Sequence, residues 1–266
     1  MEFRDKVVLV VGASSGMGRG VALKLAEAGA SVVATARRPD RLESLAAEIG
    51  AKGGACLVLA ADAEDEAAAA GVIAAAVQRF GRIDLALLNV GGAPALDLRR
   101  MTAAEVKAYM RSNYDVTVNY LMPVLRQMVR QRSGLVAHTN SLAGLLGVPL
   151  QGPYSAAKGA VRLLIDTCRI EFRSSGIRFV SIYPGFIATE RTADDGMPAP
   201  LEISEARAIE YILQALRREP CDYLFPPALS WLVRLARILP KRLSGWALGR
   251  QMPPLPPLEE EGATAA

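Results

Sequence analysis

The chain has 266 residues, a length at which one α/β domain can bury a large core, and 51% of them are hydrophobic, with a mean hydropathy of +0.21. This composition fits a thick buried sheet, and no apolar run approaches the roughly 20 residues that a membrane-crossing helix needs. The net charge of +4 is small and acidic residues stand among the basic ones over most of the chain, which argues against a nucleic-acid partner; Cys56, Cys168 and Cys221 lack metal-ligand spacing and are read as reduced, structural thiols.

Lys6–Val11 is a run of β-branched and aliphatic residues with no signal-peptide layout before it, so the chain is read as cytoplasmic. Gly12-Ala13-Ser14-Ser15-Gly16-Met17-Gly18 follows at once, then the helical pattern of Val21–Ala28. A strand feeding a glycine-rich turn that opens a helix is the context a dinucleotide site needs: glycines admit a pyrophosphate, and the helix start offers unpaired N–H groups. A tight turn without ligand is the plainer alternative. The second strand, Ser31–Thr35, ends in Ala36-Arg37-Arg38. At this place a carboxylate favours a free ribose 2′-hydroxyl and arginine favours a 2′-phosphate, so NADP is expected over NAD, although NAD(H) can still be used.

An amphipathic helix is expected over Arg41–Ile49, a third strand over Cys56–Ala61 with Asp62 just past its end, and a helix over Ala63–Phe80. A fourth strand, Ile83–Leu88, runs into Asn89-Val90-Gly91-Gly92. Short apolar strands alternating with helices predict an α/β fold of the doubly wound Rossmann type, a parallel sheet of about seven strands with helices on both faces. Ligands then bind beyond the carboxyl ends of the strands.

Thr102–Arg130 carries a long helical pattern that opens on a capping box, with Asn113 in its middle and Pro123 set to kink it or displace a hydrogen bond. The strand Gly134–Thr139 holds His138, the one histidine, read as structural. Beyond it stand Ser141 and then Tyr154-Ser155-Ala156-Ala157-Lys158. Tyr and Lys four apart share one side of a helix, so an ammonium can sit beneath the phenol, and a loop can bring the Ser141 hydroxyl alongside. Taken alone, that pair also suits an ordinary surface helix.

A sixth strand, Ile177–Tyr183, ends in Pro184-Gly185-Phe186-Ile187-Ala188-Thr189. Glu190–Glu202 has the composition of a mobile lid, Ser204–Arg218 is helical and Tyr223–Phe225 is a short seventh strand. From Trp231 to Leu239 apolar residues recur at helical spacing among Arg234, Arg237, Lys241 and Arg242. Such a helix can cover the substrate pocket or a subunit partner, the favoured reading, or lie on an anionic membrane. Residues 1–250 are expected to form one domain with 226–250 as a helical extension, and Gln251–Ala266 a disordered Pro/Glu tail.

Together these residues resemble the short-chain dehydrogenase/reductase family over about Lys6 to Phe225. The resemblance implies a single-domain NAD(P)-dependent oxidoreductase that moves a hydride between nicotinamide and a ketone or secondary alcohol. It implies Asn113, Ser141, Tyr154 and Lys158 as the catalytic set, with Tyr154 the proton donor and acceptor. For the cofactor it implies Gly12, Gly16 and Gly18, lined by Ser14, Ser15 and Met17; Arg37 and Arg38; Asp62 and Ala63; Asn89 and Gly91; Tyr154 and Lys158; and Pro184, Gly185, Ile187 and Thr189. A homodimer through the two long helices is implied, and no metal. The family's Asn-Asn-Ala-Gly turn reads Leu88-Asn89-Val90-Gly91 here, losing one asparagine and enlarging the alanine, and the C-terminal extension puts the family's tetramer in doubt. Leu142, Leu145, Leu146, Val148, Phe186, Met197 and Trp231 are expected to wall a pocket for a hydrophobic substrate. A lipid-type 3-keto reductase (keto-sphingoid or steroid-like) at a membrane surface is one alternative, and a non-catalytic NADP(H)-binding sensor is the alternative of a different class.

Overall fold

The computed structural model describes residues 1–92, 94–189, 199–250 and 252–255. The chain runs β1 (Val7–Val11), α1 (Gly16–Glu27), β2 (Ser31–Ala36), α2 (Pro39–Ala51), β3 (Cys56–Ala60), α3 (Glu66–Phe80) and β4 (Leu85–Leu88). It continues with α4 (Ala103–Gln131), β5 (Gly134–Thr139), α5 (Gly152–Glu171), β6 (Ile177–Pro184), β7 (Ile187–Ala188), β8 (Ile203–Ser204) and α6 (Glu205–Arg218). The last elements are β9 (Asp222–Phe225), α7 (Pro227–Ile238) and α8 (Lys241–Gly249). Most of the Glu190–Glu202 segment, Met197 and most of the Gln251–Ala266 tail lie outside the described residues.

Seven strands form one parallel sheet in the order β3-β2-β1-β4-β5-β6-β9. The order reverses between β1 and β4, the doubly wound arrangement expected from the alternation of elements. Side chains of successive strand residues point to opposite faces. Val8 and Val10 therefore join Val21, Leu25, Leu45 and Ile212 of α1, α2 and α6, whereas Leu9 and Val11 join Val72, Tyr120, Leu121 and Val161 of α3, α4 and α5. Both faces of the sheet are covered, so the strands read as continuous apolar runs.

Of the boundaries that differ from the expected ones, three have a physical reason in the hydrogen bonds or chain chemistry around them. The third helix starts at Glu66, not Ala63, because the Asp65 carboxylate caps the Ala68 N–H and the Ala63 carbonyl is taken by the Asn119 amide. The fourth strand starts at Leu85, since the Asp84 carboxylate binds the Val7 N–H and Ile83 is bound by Gln131. The expected C-terminal helix is two helices: α7 ends at Ile238, and Pro240, which cannot donate a backbone hydrogen bond, N-caps α8. The Thr102 capping box is formed, and α4 runs on through Pro123. The parallel pair β7 and β8 flanks the segment expected as a lid, an element the sequence pattern had not suggested.

Candidate active site

Because the strands are parallel, the carboxyl ends of β1, β4, β5 and β6 deliver their loops to one edge of the sheet. Gly12–Gly18, Asn89–Gly92, Asn140–Ser141 and Pro184–Gly185 all lie there. The glycines of the first turn serve different ends. A Cβ on Gly12, at φ +83°, would stand 2.2 Å from the Asn89 carbonyl oxygen, and one on Gly18 would stand 2.1 Å from that of Gly12. Those two let the turn pack. Gly16, at φ +56°, would meet nothing nearer than a Glu205 carboxylate oxygen at 3.8 Å, so its surface is open.

The start of α1 suits an anion. Its N-cap, Ser15, makes no side-chain capping bond and the first turn holds no acidic residue. The Ser15 hydroxyl instead accepts from Arg38 at 2.7 Å, and Ser14 accepts from the same guanidinium at 3.1 Å. N–H groups at the helix start are left for a ligand, and a cation spans from the end of β2 to the turn, an arrangement that fits a phosphorylated dinucleotide. Arg37 is exposed beside it. Met17 packs against the core, and Asp62 at the end of β3 is exposed, its carboxylate accepting from the Glu64 N–H.

Lys158 is the centre of the expected catalytic set. It is 2% exposed, and its ammonium donates to the carbonyls of Thr139 at 2.9 Å and Val90 at 3.1 Å. It lies 5.7 Å from the centre of the Tyr154 ring, one helical turn earlier on α5. The carbonyls hold the ammonium without taking its charge, so the phenol stands in the field of a fixed cation. Asn113 is fully buried inside α4: its amide nitrogen donates to the Tyr109 carbonyl at 3.0 Å, and its oxygen accepts from the Gly92 N–H at 2.6 Å. Gly91, at φ +106°, fits between the two; a Cβ there would lie 2.7 Å from the Asn113 oxygen and 3.1 Å from Lys158 Nζ. The Asn89 side chain accepts from the Thr139 hydroxyl at 2.9 Å, which ties β4 to β5 beside it.

Ser141 reaches this cluster through its neighbour. Asn140, 2% exposed, donates to the Lys158 carbonyl and to His138 Nε2, both at 2.9 Å, and accepts from the Ser141 N–H at 2.8 Å. The Ser141 hydroxyl accepts from the Ala143 N–H at 3.1 Å and keeps its own proton to donate. His138 is wholly buried and its pKa is pushed down to about 3, first by burial and then by the cations Lys158 and Arg169. It is held by Asn140 but not fully satisfied: Nδ1 has no hydrogen-bond partner among the described residues.

On the far side, Pro184 ends β6 and the Gly185 N–H donates to the Phe225 carbonyl at 2.8 Å. Ile187 is 6% exposed and its side chain joins the core, while its backbone pairs with Ile203; Thr189 follows β7. Of the expected pocket wall, Leu142 packs with Tyr183 and Val233, with Leu145 and Leu146 against them. Val148 and Phe186 are half-buried. Trp231 is not part of that wall: it is 68% exposed, because Val233 and Ser230 are the α7 residues turned inward.

Sequence reasoning missed Thr139, Asn140, Asn119 and Glu205. Asn140, directly after a buried strand and before Ser141, was the one with a readable signal, since a polar side chain at the end of an apolar run needs partners. Asn119 and Glu205 carry no such signal, because the Asn119 amide reaches from α4 to the loop after β3 and the Glu205 carboxylate approaches the Gly16 turn from α6.

Residues 6–197 match the family model for short chain dehydrogenases. An uncharacterized oxidoreductase of Myxococcus xanthus is 32% identical over 91% of this chain and 96% of its own length. A 3-oxoacyl-(acyl-carrier-protein) reductase of Staphylococcus epidermidis is 35% identical over 71% of this chain and 78% of its own. Among solved structures, an NAD+-bound xylitol dehydrogenase superposes with a TM-score of 0.67 at 30% identity, over 71% of this chain and 73% of its own. The Rossmann sheet, the glycine turn at the start of α1 and these matches agree, and the chain belongs to the short-chain dehydrogenase/reductase family, NAD(P)-using oxidoreductases acting on CH–OH and C=O groups.

Proposed function

We propose that the chain is an NADP(H)-dependent oxidoreductase of hydrophobic ketones and secondary alcohols, with Tyr154 as its general acid and base. The observation that carries this reading is the Lys158 ammonium, buried between the carbonyls of Val90 and Thr139 and held near the Tyr154 ring. When bound, the nicotinamide cofactor supplies or accepts the hydride. Tyr154 exchanges the proton at the substrate oxygen. An unperturbed phenol has a pKa of about 10, and the neighbouring ammonium favours the phenolate. Ser141 orients the same oxygen with its free proton, and Asn113 holds the Gly92 loop and the wall behind Lys158.

The Gly12–Gly18 turn with Ser14, Ser15 and Met17 would hold the pyrophosphate, and Asp62 with Ala63 the adenine. Asn89 and Gly91 would hold the adenosine ribose, and Pro184, Gly185, Ile187 and Thr189 the nicotinamide. Arg37 and Arg38 would hold a 2′-phosphate. The end of β2 carries Ala36 and two arginines in place of a carboxylate, which supports NADP even though the neighbour of known structure is NAD+-bound. Substrate polarity follows from the wall, where Leu145, Leu146, Val148 and Phe186 are apolar. The exposed Leu163 and Ile170 on α5 and Met122 and Val129 on α4 support a homodimer through those helices, and the cytoplasm is the proposed compartment.

A panel of carbonyls and alcohols with NADPH and NADH, followed at the nicotinamide absorbance, tests the reading. Turnover is expected with NADPH on long apolar ketones. Arg37→Ala and Arg38→Ala should each narrow the gap in affinity between NADPH and NADH, and equal affinities in the unaltered protein would overturn the cofactor assignment. Cofactor binding without turnover on any member of the panel would favour a sensor.

A further inference from the structure

The polar edge of the sheet absorbs almost every residue with chemistry to perform, but it leaves the C-terminal helices unexplained. Trp231, Leu235 and Ile238 lie on one side of α7 and are 68%, 51% and 80% exposed. Val233, on the opposite side, packs against Leu142 and Tyr183. On α8, Leu243 and Trp246 are 54% and 63% exposed, and none of its residues is buried. A helix of nine residues gains little stability alone in water, so an apolar surface of this extent calls for an occupant.

Charge identifies the occupant. Between Tyr223 and Leu258 the sequence contains no acidic residue and five basic ones: Arg234, Arg237, Lys241, Arg242 and Arg250. All five are exposed and none forms an ion pair with a described residue. Arg234 lies over the Trp231 ring at 5.4 Å and Arg250 over that of Trp246 at 4.8 Å, the pairing of aromatic and cation that suits a boundary between an apolar phase and water. A second copy is a poor occupant. A two-fold axis sets a patch against itself, and here it would bring five cations against five with no acid to pair them. Among the described residues these side chains are exposed, and it is Val233 that meets the pocket wall. No helix among the described residues is long and apolar enough to cross a membrane.

We propose that α7 and α8 dock the protein on the surface of a membrane rich in anionic lipid, with Trp231, Leu235, Ile238, Leu243 and Trp246 in the headgroup boundary and the five cations on lipid phosphates. Binding of this kind needs both apolar area and charge. It is independent of the reaction, and it would place the substrate edge of the enzyme near a source of hydrophobic ketones.

The test is flotation of the full chain with phosphatidylcholine vesicles, with and without phosphatidylglycerol, at low and high salt. Binding is expected only with phosphatidylglycerol present and should weaken in salt. Each cation replaced by glutamine should lower the affinity by about fivefold. The double variant Leu235→Ser, Ile238→Ser should lose flotation while keeping its thermal midpoint and its NADPH binding, which separates a docking defect from misfolding. No flotation with phosphatidylglycerol, or equal flotation without it, overturns the proposal. So does a dimer in sedimentation that this double variant converts to monomer while vesicle binding stays unchanged.

Discussion

The carboxyl edge of the sheet and the α7–α8 pair treat their demanding groups in opposite ways. At the edge, groups that are costly to bury are buried and bonded: Lys158, Asn113 and Asn140 are each at most 2% exposed and each makes named hydrogen bonds. On α7 and α8, groups that are costly to leave in water are left in water. Burial of these groups is tolerated because nearly all of their partners are supplied, His138 Nδ1 being the exception; an unpaired buried polar group costs about 1–3 kcal/mol. An exposed apolar surface is tolerated where something other than the chain itself completes it. The first region therefore reads as preorganised for chemistry within the chain, the second as half of an interface.

The sharpest way to break that contrast is at Tyr154. Tyr154→Phe keeps the ring beside Lys158 and removes the proton, and turnover should fall by about 10²–10⁴ with cofactor affinity retained. Titration of NADPH alongside kcat measures both, and retained turnover would show that the edge is not organised around this phenol.

Next comes the hub. Asn140→Leu would strand the Ser141 N–H and His138 Nε2, and unfolding in urea should show a loss of about 2–4 kcal/mol. A loss below 1 kcal/mol would mean that other groups can satisfy them.

His138 gives a pH signature of the same region. Its folded pKa, about 3, lies below the value of about 6.5 expected unfolded, so the unfolded chain binds a proton that the folded one refuses. Stability should therefore be complete above about pH 6.5 and decline as pH falls toward 3, by up to about 1.4 kcal/mol per unit from this group. His138→Leu should flatten the part of the slope between pH 6.5 and 5 that this group contributes; an unchanged slope in urea unfolding at several pH values would assign it to carboxylates instead.

The smallest effect on the folded chain is expected from the docking surface. Leu235→Ser should change stability by no more than about 0.5 kcal/mol, since its side chain is half exposed and meets little of the body. A larger loss in thermal unfolding would show that α7 is packed for stability and would erase the contrast.

Much of the fold was legible because its signal is local. Runs such as Val7–Val11 and Leu85–Leu88 are apolar along their whole length, which is what a parallel sheet covered on both faces demands. Gly12, Gly16 and Gly18 between strand and helix, and Tyr154 one turn before Lys158, are likewise spacings within single elements. The small β7–β8 pair was not legible, since two residues on each side of a long segment make no periodic pattern. Nor was the direction of α7: its spacing showed an amphipathic helix, but which apolar residues met the body depended on where Tyr183 and Leu142 offered surface, and they met Val233 and not Trp231.

The sequence by itself determined the alternation of strands and helices, the glycine turn and the Tyr-Lys pair, because each is written in residues a few positions apart. Only the tertiary structure decided that Thr139, Asn140 and Val90, from two neighbouring strand ends, would hold Lys158 and Ser141, and that two tryptophans would be exposed, each with an arginine over its ring. The reason is physical: periodicity reports which residues share a face, whereas hydrogen bonds between strand ends and the burial of a helix face depend on partners distant in the chain.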